Sequence, residues 1–217
     1  MGTIQPETTH DHGKLVRQQS ALLSMENGFV YRDLNKNGEL DVYEDARQPI
    51  EARVEDLLRQ MTPAEKAGML FINGSVINPD GSIEDKGGAP GLARVASTQM
   101  TDQKMNHFNL WQIPAPQVVA LWYNNLQRFA EQARLGIPVT IASDPRNHFS
   151  QNIFAMAANG FSQWCETLGF GALGDPELVG QFAEIVRQEY LAVGIRVALH
   201  PQIDLATEPR WPRISGT

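Results

Sequence analysis

A helix, a glycine, a short apolar strand and a polar loop follow one another twice in this sequence, and this repeat limits the fold to a few architectures. In the first copy, Gly136 separates a helix from an apolar strand over 137–142. In the second copy, Gly194 separates a helix that Asp175 caps from a strand over 195–199. Strands that alternate with helices in this way are typical of a parallel α/β sheet.

Two architectures fit this alternation: an open doubly wound sheet and a (β/α)8 barrel. No GxGxxG motif follows a strand, which disfavours the dinucleotide-binding version of the open sheet. We therefore predict a partial TIM-like (β/α)8 barrel, incomplete because the 217 residues fall short of the roughly 250 of a full barrel. Functional residues of a barrel follow the carboxyl ends of its strands, which points to Asp144 and to the segment after Leu199.

The organisation predicted for the chain has three parts. Residues 1–28 have few periodic apolar positions and are expected to form an N-terminal arm. Residues 29–48 are dense in Asp, Asn and Glu, and 49–217 form the portion of the barrel. Within that portion, apolar periodicity predicts a helix over 50–61, whereas the Gly, Pro, Ser and Asp of 73–100 predict a long surface loop.

The second helix of the barrel portion has a clear start signal. Thr62-Pro63-Ala64-Glu65 matches a capping box, in which the threonine and glutamate side chains each bind the other's backbone N–H. Proline fits the first helical turn because its missing N–H has no partner there in any case. We therefore expect a helix from this point to about Leu70.

Composition excludes several classes of function. The chain has 25 acidic and 18 basic residues, a net charge of −7 and no basic run, so a nucleic-acid partner is excluded. Its single cysteine, Cys165, rules out a disulfide framework and a CxxC metal site. No apolar run approaches the roughly 20 residues that cross a membrane. We expect a soluble protein, periplasmic or secreted if a signal peptide was removed before residue 1, and cytoplasmic otherwise.

Residues 33–44 fit the twelve-residue calcium loop of an EF-hand. Gly38 occupies the sixth position, where the chain must turn sharply. Calcium takes six to eight oxygen ligands, and this spacing wraps such groups around one point. Because the loop is single and Pro49 follows closely, we expect a structural Ca2+ rather than a sensor; the alternative is an Asx-rich turn that binds nothing. The predicted ligands are the Glu39 carbonyl and the side chains of Asp33, Asn35, Asn37, Asp41 and Glu44.

From about residue 29 to its end, the chain resembles glycoside hydrolase family 3. The order and spacing of several short segments carry this resemblance, rather than any one of them. Those segments are Tyr31–Gly38, Tyr43–Asp45, Arg53–Leu58, Met61–Lys66, Asn124–Gln127, Leu135–Pro138, Ser143–Arg146, Asp175–Leu178 and Glu208–Arg213.

The resemblance implies a (β/α)8-like domain that binds the non-reducing terminal sugar of a substrate. Carried over position by position, it assigns sugar contacts to Asp144 and Arg213. A carboxylate accepts two hydrogen bonds from vicinal hydroxyls, and a guanidinium offers a rigid fork of donors. The alternatives are a turn residue before Pro145 for the aspartate and a surface ion pair for the arginine.

Retaining glycosidases need two carboxyl groups, one as nucleophile and one as acid/base. In the family that this chain resembles, both lie beyond residue 217, so we assign no catalytic residue and interpret Asp204 and Glu208 as structural. The resemblance therefore implies part of an exo-acting, β-glucosidase-like enzyme that removes terminal β-D-glucosyl residues. We expect the fragment to be inactive alone, and its partners to be a β-linked glucoside or oligosaccharide and the rest of the enzyme.

Three other functions stay open on the sequence. The first is a non-catalytic, calcium-stabilised carbohydrate-binding module. The second is an unrelated calcium-binding interaction protein, supported only by the loop over 33–44. The third remains within the family: a β-N-acetylhexosaminidase or a β-xylosidase.

Overall fold

The structure is a computed structural model, and it describes residues 23–86, 95–110, 113–143, 160–199, 205 and 207–211. The two predicted sugar contacts, Asp144 and Arg213, lie outside these residues. The six metal ligands predicted from the sequence all lie within them.

From residue 50 onward, each described strand is preceded by one or two helices. The strands are β1 (Leu23–Glu26), β2 (Phe29–Arg32), β3 (Asn73–Ser75), β4 (His107–Leu110), β5 (Thr140–Ser143) and β6 (Ile195–Ala198). The helices are α1 (Ile50–Gln60), α2 (Pro63–Met69), α3 (Ala96–Gln103), α4 (Pro116–Gln132), α5 (Thr167–Leu173) and α6 (Pro176–Val193). The order of helix, glycine and strand predicted around Gly136 and Gly194 is therefore present, and Gly194 caps α6 as expected. The prediction that Gly136 ends the first helix is wrong, because α4 ends at Gln132 and Ala133 caps it.

The main sheet is parallel and has four strands in the order β3-β4-β5-β6. Spatial order follows chain order without a reversal, whereas a doubly wound sheet reverses its order at a switch point. The described strands therefore succeed one another as the βα units of a barrel do. Apart from this sheet, β1 and β2 form an antiparallel hairpin.

The hydrophobic core lies between one face of the parallel sheet and the helices. Phe108, Ile141 and Ile195, which stand side by side on three strands, are at most 1% exposed. Trp122 and Leu126 of α4 belong to the same core cluster and are equally buried. Burial of each such side chain stabilises the fold by about 1.5–3 kcal/mol, so the strip of apolar residues in α4 fixes this helix against the sheet.

The strand after α4 begins later than the sequence predicts, at Thr140 rather than at residue 137. At this point the side chain of Gln127 makes the hydrogen bonds that a neighbouring strand would otherwise make. Its Nε2 donates to the Val139 carbonyl at 2.7 Å, and its Oε1 accepts from the Val139 N–H at 3.0 Å. Pro138 has no N–H to offer a ladder, so the segment before Thr140 is fixed by a side chain.

The prediction of a long surface loop over 73–100 is wrong for part of that range. Residues 73–75 form the edge strand β3, and α3 begins at Ala96. The strand consists of Asn73, a glycine and a serine, so it has none of the apolar character by which strands are recognised. Gln99, which is fully buried, secures it: Gln99 donates to the Gly74 carbonyl at 3.0 Å and accepts from Asn73 Nδ2 at 2.8 Å.

The hairpin β1–β2 crosses the predicted boundary between the arm and the loop region. Its turn is Asn27-Gly28, and both residues have a positive φ, of 48° and 80°. Two consecutive positive φ values are the requirement of a type I′ turn, for which Asn-Gly is the preferred pair. Residues 23–28 are therefore part of an ordered hairpin, and the predicted loose arm does not extend through them.

The helix predicted over 50–61 is present as α1, but its apolar side is not covered by the described residues. Ile50 is 71% exposed, Val54 49% and Leu58 45%.

No helix in the described part of the chain combines the length and apolar character that a membrane crossing requires.

Candidate functional site

The carboxyl ends of the four parallel strands lie side by side at one edge of the sheet. One row across this edge consists of Ser75, Leu110, Ser143 and Ala198. The N–H of Leu199 donates to the carbonyl of Ser143 at 2.9 Å and continues the β5–β6 ladder by one step. Ser143, the last residue of β5 and the residue before Asp144 in the sequence, lies at this edge, where barrel enzymes bind their substrates. Convergence of Asp144 with Arg213 stays a prediction, since both lie outside the described residues.

Two polar side-chain atoms near this edge have no hydrogen-bond partner among the described residues. They are Oδ1 of Asn109 and Oγ of Ser143, and both are buried. Phe108 and Ile141 face the helices, and successive side chains of a strand alternate, so Asn109 lies on the opposite face of the sheet. An unsatisfied buried polar atom costs about 1–3 kcal/mol, so both atoms call for partners beyond the described part of the chain.

The chain re-enters the described part at residues 160–164, which we call the return segment. Ser162 binds Glu189 of α6 with two hydrogen bonds: its N–H donates to Oε1 at 2.7 Å, and its hydroxyl donates to Oε2 at 2.9 Å. Indole Nε1 of Trp164 donates to the Ser162 oxygen at 3.0 Å. Sequence reasoning missed this anchor, although a glutamate among the apolar residues of the buried side of α6 was a signal for it.

Packing fixes the same segment from two further sides. The ring of Trp164 contacts the ring of Phe182 in α6 edge-on, at 5.4 Å between centroids, and lies 6.3 Å from the ring of Phe170 in α5. Gly160 has φ +84°, and a Cβ there would lie 2.9 Å from Cδ of Pro116 at the start of α4. The return segment is thus held by three helices at once.

The predicted metal loop closes around its own acidic side chains. The two carboxylate oxygens of Asp33 accept from the N–H groups of Asn37 (3.1 Å) and Gly38 (2.9 Å). Glu44 Oε1 accepts from the N–H of Leu34 at 2.6 Å. Gly38 has φ +84°, the left-handed conformation expected at the sixth position. The backbone therefore makes the turn that the sequence predicts.

The side-chain amides of the loop converge on Asp41. Nδ2 of Asn35 and Nδ2 of Asn37 both donate to Asp41 Oδ2, at 2.6 Å and 2.9 Å. Burial raises the pKa of Glu44, and the N–H groups that bind its carboxylate oppose this shift. In the described part of the chain, no group of three or more His, Cys, Asp and Glu side chains is arranged to hold a metal ion. The calcium site therefore stays a prediction.

Side chains of the loop attach it to the turn between α4 and β5. Lys36 Nζ donates to the carbonyl of Ala133 at 2.6 Å, and Tyr43 Oη donates to the carbonyl of Leu135 at 3.4 Å. Arg134, which lies between these two residues in the sequence, binds Glu65 of α2 through two hydrogen bonds. The loop therefore braces the turn that leads into β5.

A cavity of about 580 Å³ lies away from the carboxyl edge of the sheet. Its lining includes Met105 and Asn106, which precede β4, and Ile137, which precedes β5. It therefore opens towards the amino ends of the strands. Residues at that end of a barrel serve stability rather than chemistry, so this cavity is not the candidate site.

Of the two acidic residues interpreted as structural, Glu208 is described and Asp204 is not. Glu208 binds Arg210 through both carboxylate oxygens at 2.8 Å, and this guanidinium lowers the pKa of the carboxyl to about 2. A carboxylate that is paired and ionised in this way is a poor proton donor near neutral pH.

The sequence profile of the Glycosyl hydrolase family 3 N terminal domain matches residues 116–217. This stretch begins at the first residue of α4 and includes β5, α5, α6 and β6. Residues 116–217 of this chain belong to glycoside hydrolase family 3. This match confirms the resemblance that the short sequence segments indicate. The N-terminal domain of the family also accounts for the succession of parallel strands and helices.

Curated proteins named as beta-glucosidases are similar to most of this chain. The periplasmic beta-glucosidase/beta-xylosidase of Dickeya chrysanthemi is 48% identical over 194 residues, which cover 88% of this chain and 29% of that protein. The probable beta-glucosidase C of Aspergillus oryzae is 46% identical, over 84% of this chain and 28% of its own length. Beta-glucosidase C of Emericella nidulans is 46% identical, over 85% of this chain and 29% of its own length. The chain thus spans under a third of the length of the relatives that it matches.

Proposed function

We propose that this chain is part of an exo-acting, retaining β-glycosidase that removes terminal β-D-glucosyl residues, with the nucleophile and the acid/base outside it. The profile match over residues 116–217 carries this proposal. Three relatives whose names include beta-glucosidase support it, each at least 46% identical over at least 84% of this chain.

Within that enzyme, Asp144 and Arg213 are proposed to bind the hydroxyls of the terminal sugar. The position of Asp144 directly after Ser143, at the carboxyl edge of the sheet, supports its role. In the sequence, Arg213 comes 15 residues after Ala198, the last residue of the neighbouring strand β6. An aspartate and an arginine that face one pyranose would supply an acceptor pair and a donor fork.

Steady-state kinetics of the full-length enzyme test this proposal. With p-nitrophenyl β-D-glucopyranoside, Asp144→Ala is expected to lower kcat/KM by at least about 100-fold, and Arg213→Lys by about 10-fold, because each removes contacts to the bound sugar. Glu184→Ala, on the exposed side of α6, is the matched control and should leave kcat/KM unchanged. Wild-type levels of activity in Asp144→Ala would contradict the role proposed for this residue.

The name of the Dickeya relative includes beta-xylosidase, which favours β-xylosides as a second substrate class. A xyloside lacks the C6 hydroxymethyl group of a glucoside, and a pocket that accepts the larger sugar accepts the smaller one with a loss of about 1–3 kcal/mol. Comparison of kcat/KM for the p-nitrophenyl glucoside and xyloside decides which of the two is preferred. Retention is tested separately, by NMR detection of the β-anomer as first product.

A non-catalytic carbohydrate-binding module is the remaining alternative. It predicts that the full-length protein binds glucose in calorimetry, with loss of binding in Asp144→Ala, but releases no nitrophenol. For the 217-residue chain alone we expect no hydrolysis. Turnover by that chain at the rate of the full-length enzyme would contradict the proposal that its catalytic carboxyls lie elsewhere.

We also propose that the loop over 33–44 holds a structural Ca2+. The donor set is all oxygen, with three carboxylates from Asp33, Asp41 and Glu44, which suits a hard cation. Asp33 and Glu44 are at most 8% exposed, and buried carboxylates without a nearby cation are costly. The backbone turn at Gly38 is compatible with the bound loop. Calcium there would supply charge neutralisation and no step of the reaction.

A further inference from the structure

The cavity of about 580 Å³ at the amino ends of the strands lies between α2, α3 and α4. Its volume is within the range of pockets that bind small molecules, about 300–1,000 Å³. Every residue that lines it belongs to the described part of the chain. Because three helices form its walls, the cavity is already shaped before any ligand enters, as small-molecule sites usually are.

Four methionines supply much of the apolar wall of this cavity: Met61, Met69, Met100 and Met105. The chain has seven methionines, so more than half of them meet at one place. Met61 and Met105 are buried, whereas Met69 and Met100 are partly exposed and therefore do not serve only to fill the core. Thioether side chains adapt to the shape of a ligand and contact aromatic rings favourably. With Phe129 in the same lining, this wall suits an aromatic ligand.

The charged side chains that line the cavity have a net positive charge. They are Glu65, Lys104 and Arg134. Both carboxylate oxygens of Glu65 accept from Arg134, so this pair is neutral. Within the residues that the structure describes, Nη1 of Arg134 donates no hydrogen bond.

The ammonium group of Lys104 supplies the excess positive charge. Lys104 is exposed, and it donates one of its three hydrogen bonds to the carbonyl of Thr101, at 2.8 Å. An anionic group at the mouth of the cavity would therefore meet donors of both Lys104 and Arg134 that have no other partner among the described residues. Hydrogen bonds between charged partners are about twice as strong as neutral ones, so the cavity favours an anion over a neutral ligand.

We propose that this cavity binds an aromatic ligand with one anionic group, a carboxylate or a sulfonate. The ring lies against the methionines, and the anion binds Lys104 and Arg134. The site is separate from the proposed sugar site, because Ser143 stands at the carboxyl edge of the sheet and the cavity opens at the amino ends. A ligand there contacts α2, α3 and α4 together and stabilises the folded state by mass action.

Fluorescence titration of the full-length protein tests this proposal with two probes that share one aromatic body. Anilinonaphthalene sulfonate has an anionic group, and phenylnaphthylamine has none. The sulfonate is expected to bind at one site per chain, and added salt should weaken its binding more than that of the uncharged probe. Absence of binding by the folded wild-type protein would overturn the proposal, as would many equivalent sites for the sulfonate.

Three variants locate the probe in the cavity. Lys104→Glu reverses the charge at the mouth and should weaken binding of the sulfonate about fivefold, while the affinity for phenylnaphthylamine stays within about twofold of wild type. Met69→Gln keeps the length of the side chain but not the thioether, so it should weaken both probes about threefold. Arg187→Glu, on the exposed side of α6, makes the same change of charge outside the cavity and should leave both affinities unchanged.

Two further results decide between this cavity and other sites. Saturating glucose should leave the affinity for the sulfonate unchanged, and competition by glucose would place the probe in the sugar site and overturn the proposal. Equal affinity of wild type and Lys104→Glu for the sulfonate would also overturn it. If Lys104→Glu does not fold, Lys104→Gln replaces it: a loss of about twofold for the sulfonate alone supports the proposal, and an unchanged affinity overturns it.

Discussion

The ammonium group of Lys36 donates a hydrogen bond of 2.6 Å to the main-chain carbonyl of Ala133. Ala133 caps the carboxyl end of α4, where unpaired carbonyls and the helix dipole favour a positive charge. Lys36 also donates to the carbonyl of Leu34 within its own loop, at 2.7 Å. One side chain therefore joins the predicted metal loop to the helix that leads into β5.

Lys36→Met should lower the free energy of unfolding by about 0.5–1 kcal/mol, because methionine keeps the length of the side chain but donates no hydrogen bond. Chemical denaturation of the full-length protein measures this loss. Lys66→Met, on the exposed side of α2, is the control and should change stability by less than about 0.5 kcal/mol. Equal stability of the two variants would mean that the contact to Ala133 contributes nothing.

Calcium should raise the thermal unfolding temperature of the wild-type protein after treatment with EDTA. A ligand at 100 times its dissociation constant stabilises the native state by about 2.7 kcal/mol. Glu44→Gln should abolish most of this increase, because the twelfth position supplies a bidentate carboxylate. The control is Glu55→Gln, which changes an exposed carboxylate of α1 that pairs with Arg59. This variant should keep the calcium-dependent increase in unfolding temperature. An identical response to calcium in Glu44→Gln would exclude the loop as the binding site.

The ion pair between Glu65 and Arg134 should contribute a pH-dependent part of stability. The guanidinium of Arg134 lowers the pKa of Glu65 to about 2. Because the folded-state pKa lies below the unfolded one, this stability is present above about pH 4.5 and is lost as the pH falls towards 2. Glu65→Gln keeps the capping box but not the charge, so it should be less stable than wild type by under about 1 kcal/mol at pH 7.

Urea titrations of both proteins between pH 7 and pH 3 measure this difference. The difference in stability should narrow steadily below about pH 4.5, because Glu65 takes up its proton there in the unfolded state, whereas in the folded state it stays ionised until the pH nears 2. A difference that stays constant down to pH 3 would show that the charge of Glu65 is not what stabilises the contact with Arg134.

Two helical glycines should respond in opposite directions to alanine. A Cβ at Gly68 of α2 would lie 2.3 Å from the carbonyl oxygen of Lys104, a backbone atom that has little freedom to move. Gly68→Ala is therefore expected to destabilise the protein by about 1–3 kcal/mol. A Cβ at Gly180 of α6 would meet no atom within 4 Å, so Gly180→Ala should stabilise by up to about 1 kcal/mol through helix propensity. The thermal unfolding temperatures of the two variants show whether Gly180→Ala is the more stable. A Gly68→Ala variant more stable than wild type would contradict the close approach of α2 to Lys104.

Local signals with a direct physical cause were readable from the sequence. The capping box at Thr62 and Glu65 is formed on both sides, and Asp175 accepts from the N–H of Leu178 at the start of α6. Gly194 ends that helix with φ +93°, as its position before a strand predicts. In each case the interacting groups lie within a few residues of one another, so a short pattern contains the whole interaction.

Contacts between distant residues were not readable. The strand at Asn73 was assigned to a loop because its stability comes from pairing with β4 and from Gln99, a residue 26 positions away along the chain. The anchor of Ser162 on Glu189 was missed for the same reason, since the two residues are 27 positions apart. No periodicity encodes such pairs.

Helix caps, glycine turns and apolar periodicity are local properties, so the succession of helices and strands, the family and the type of residue that follows each strand can be predicted from the amino-acid sequence. Three features are visible only in the folded molecule: the four strands lie in chain order in one parallel sheet, a glutamine side chain takes the place of a strand before β5, and Glu189 holds the return segment. These features depend on which distant groups meet when the core closes, and burial of apolar surface, rather than any local preference, selects that arrangement.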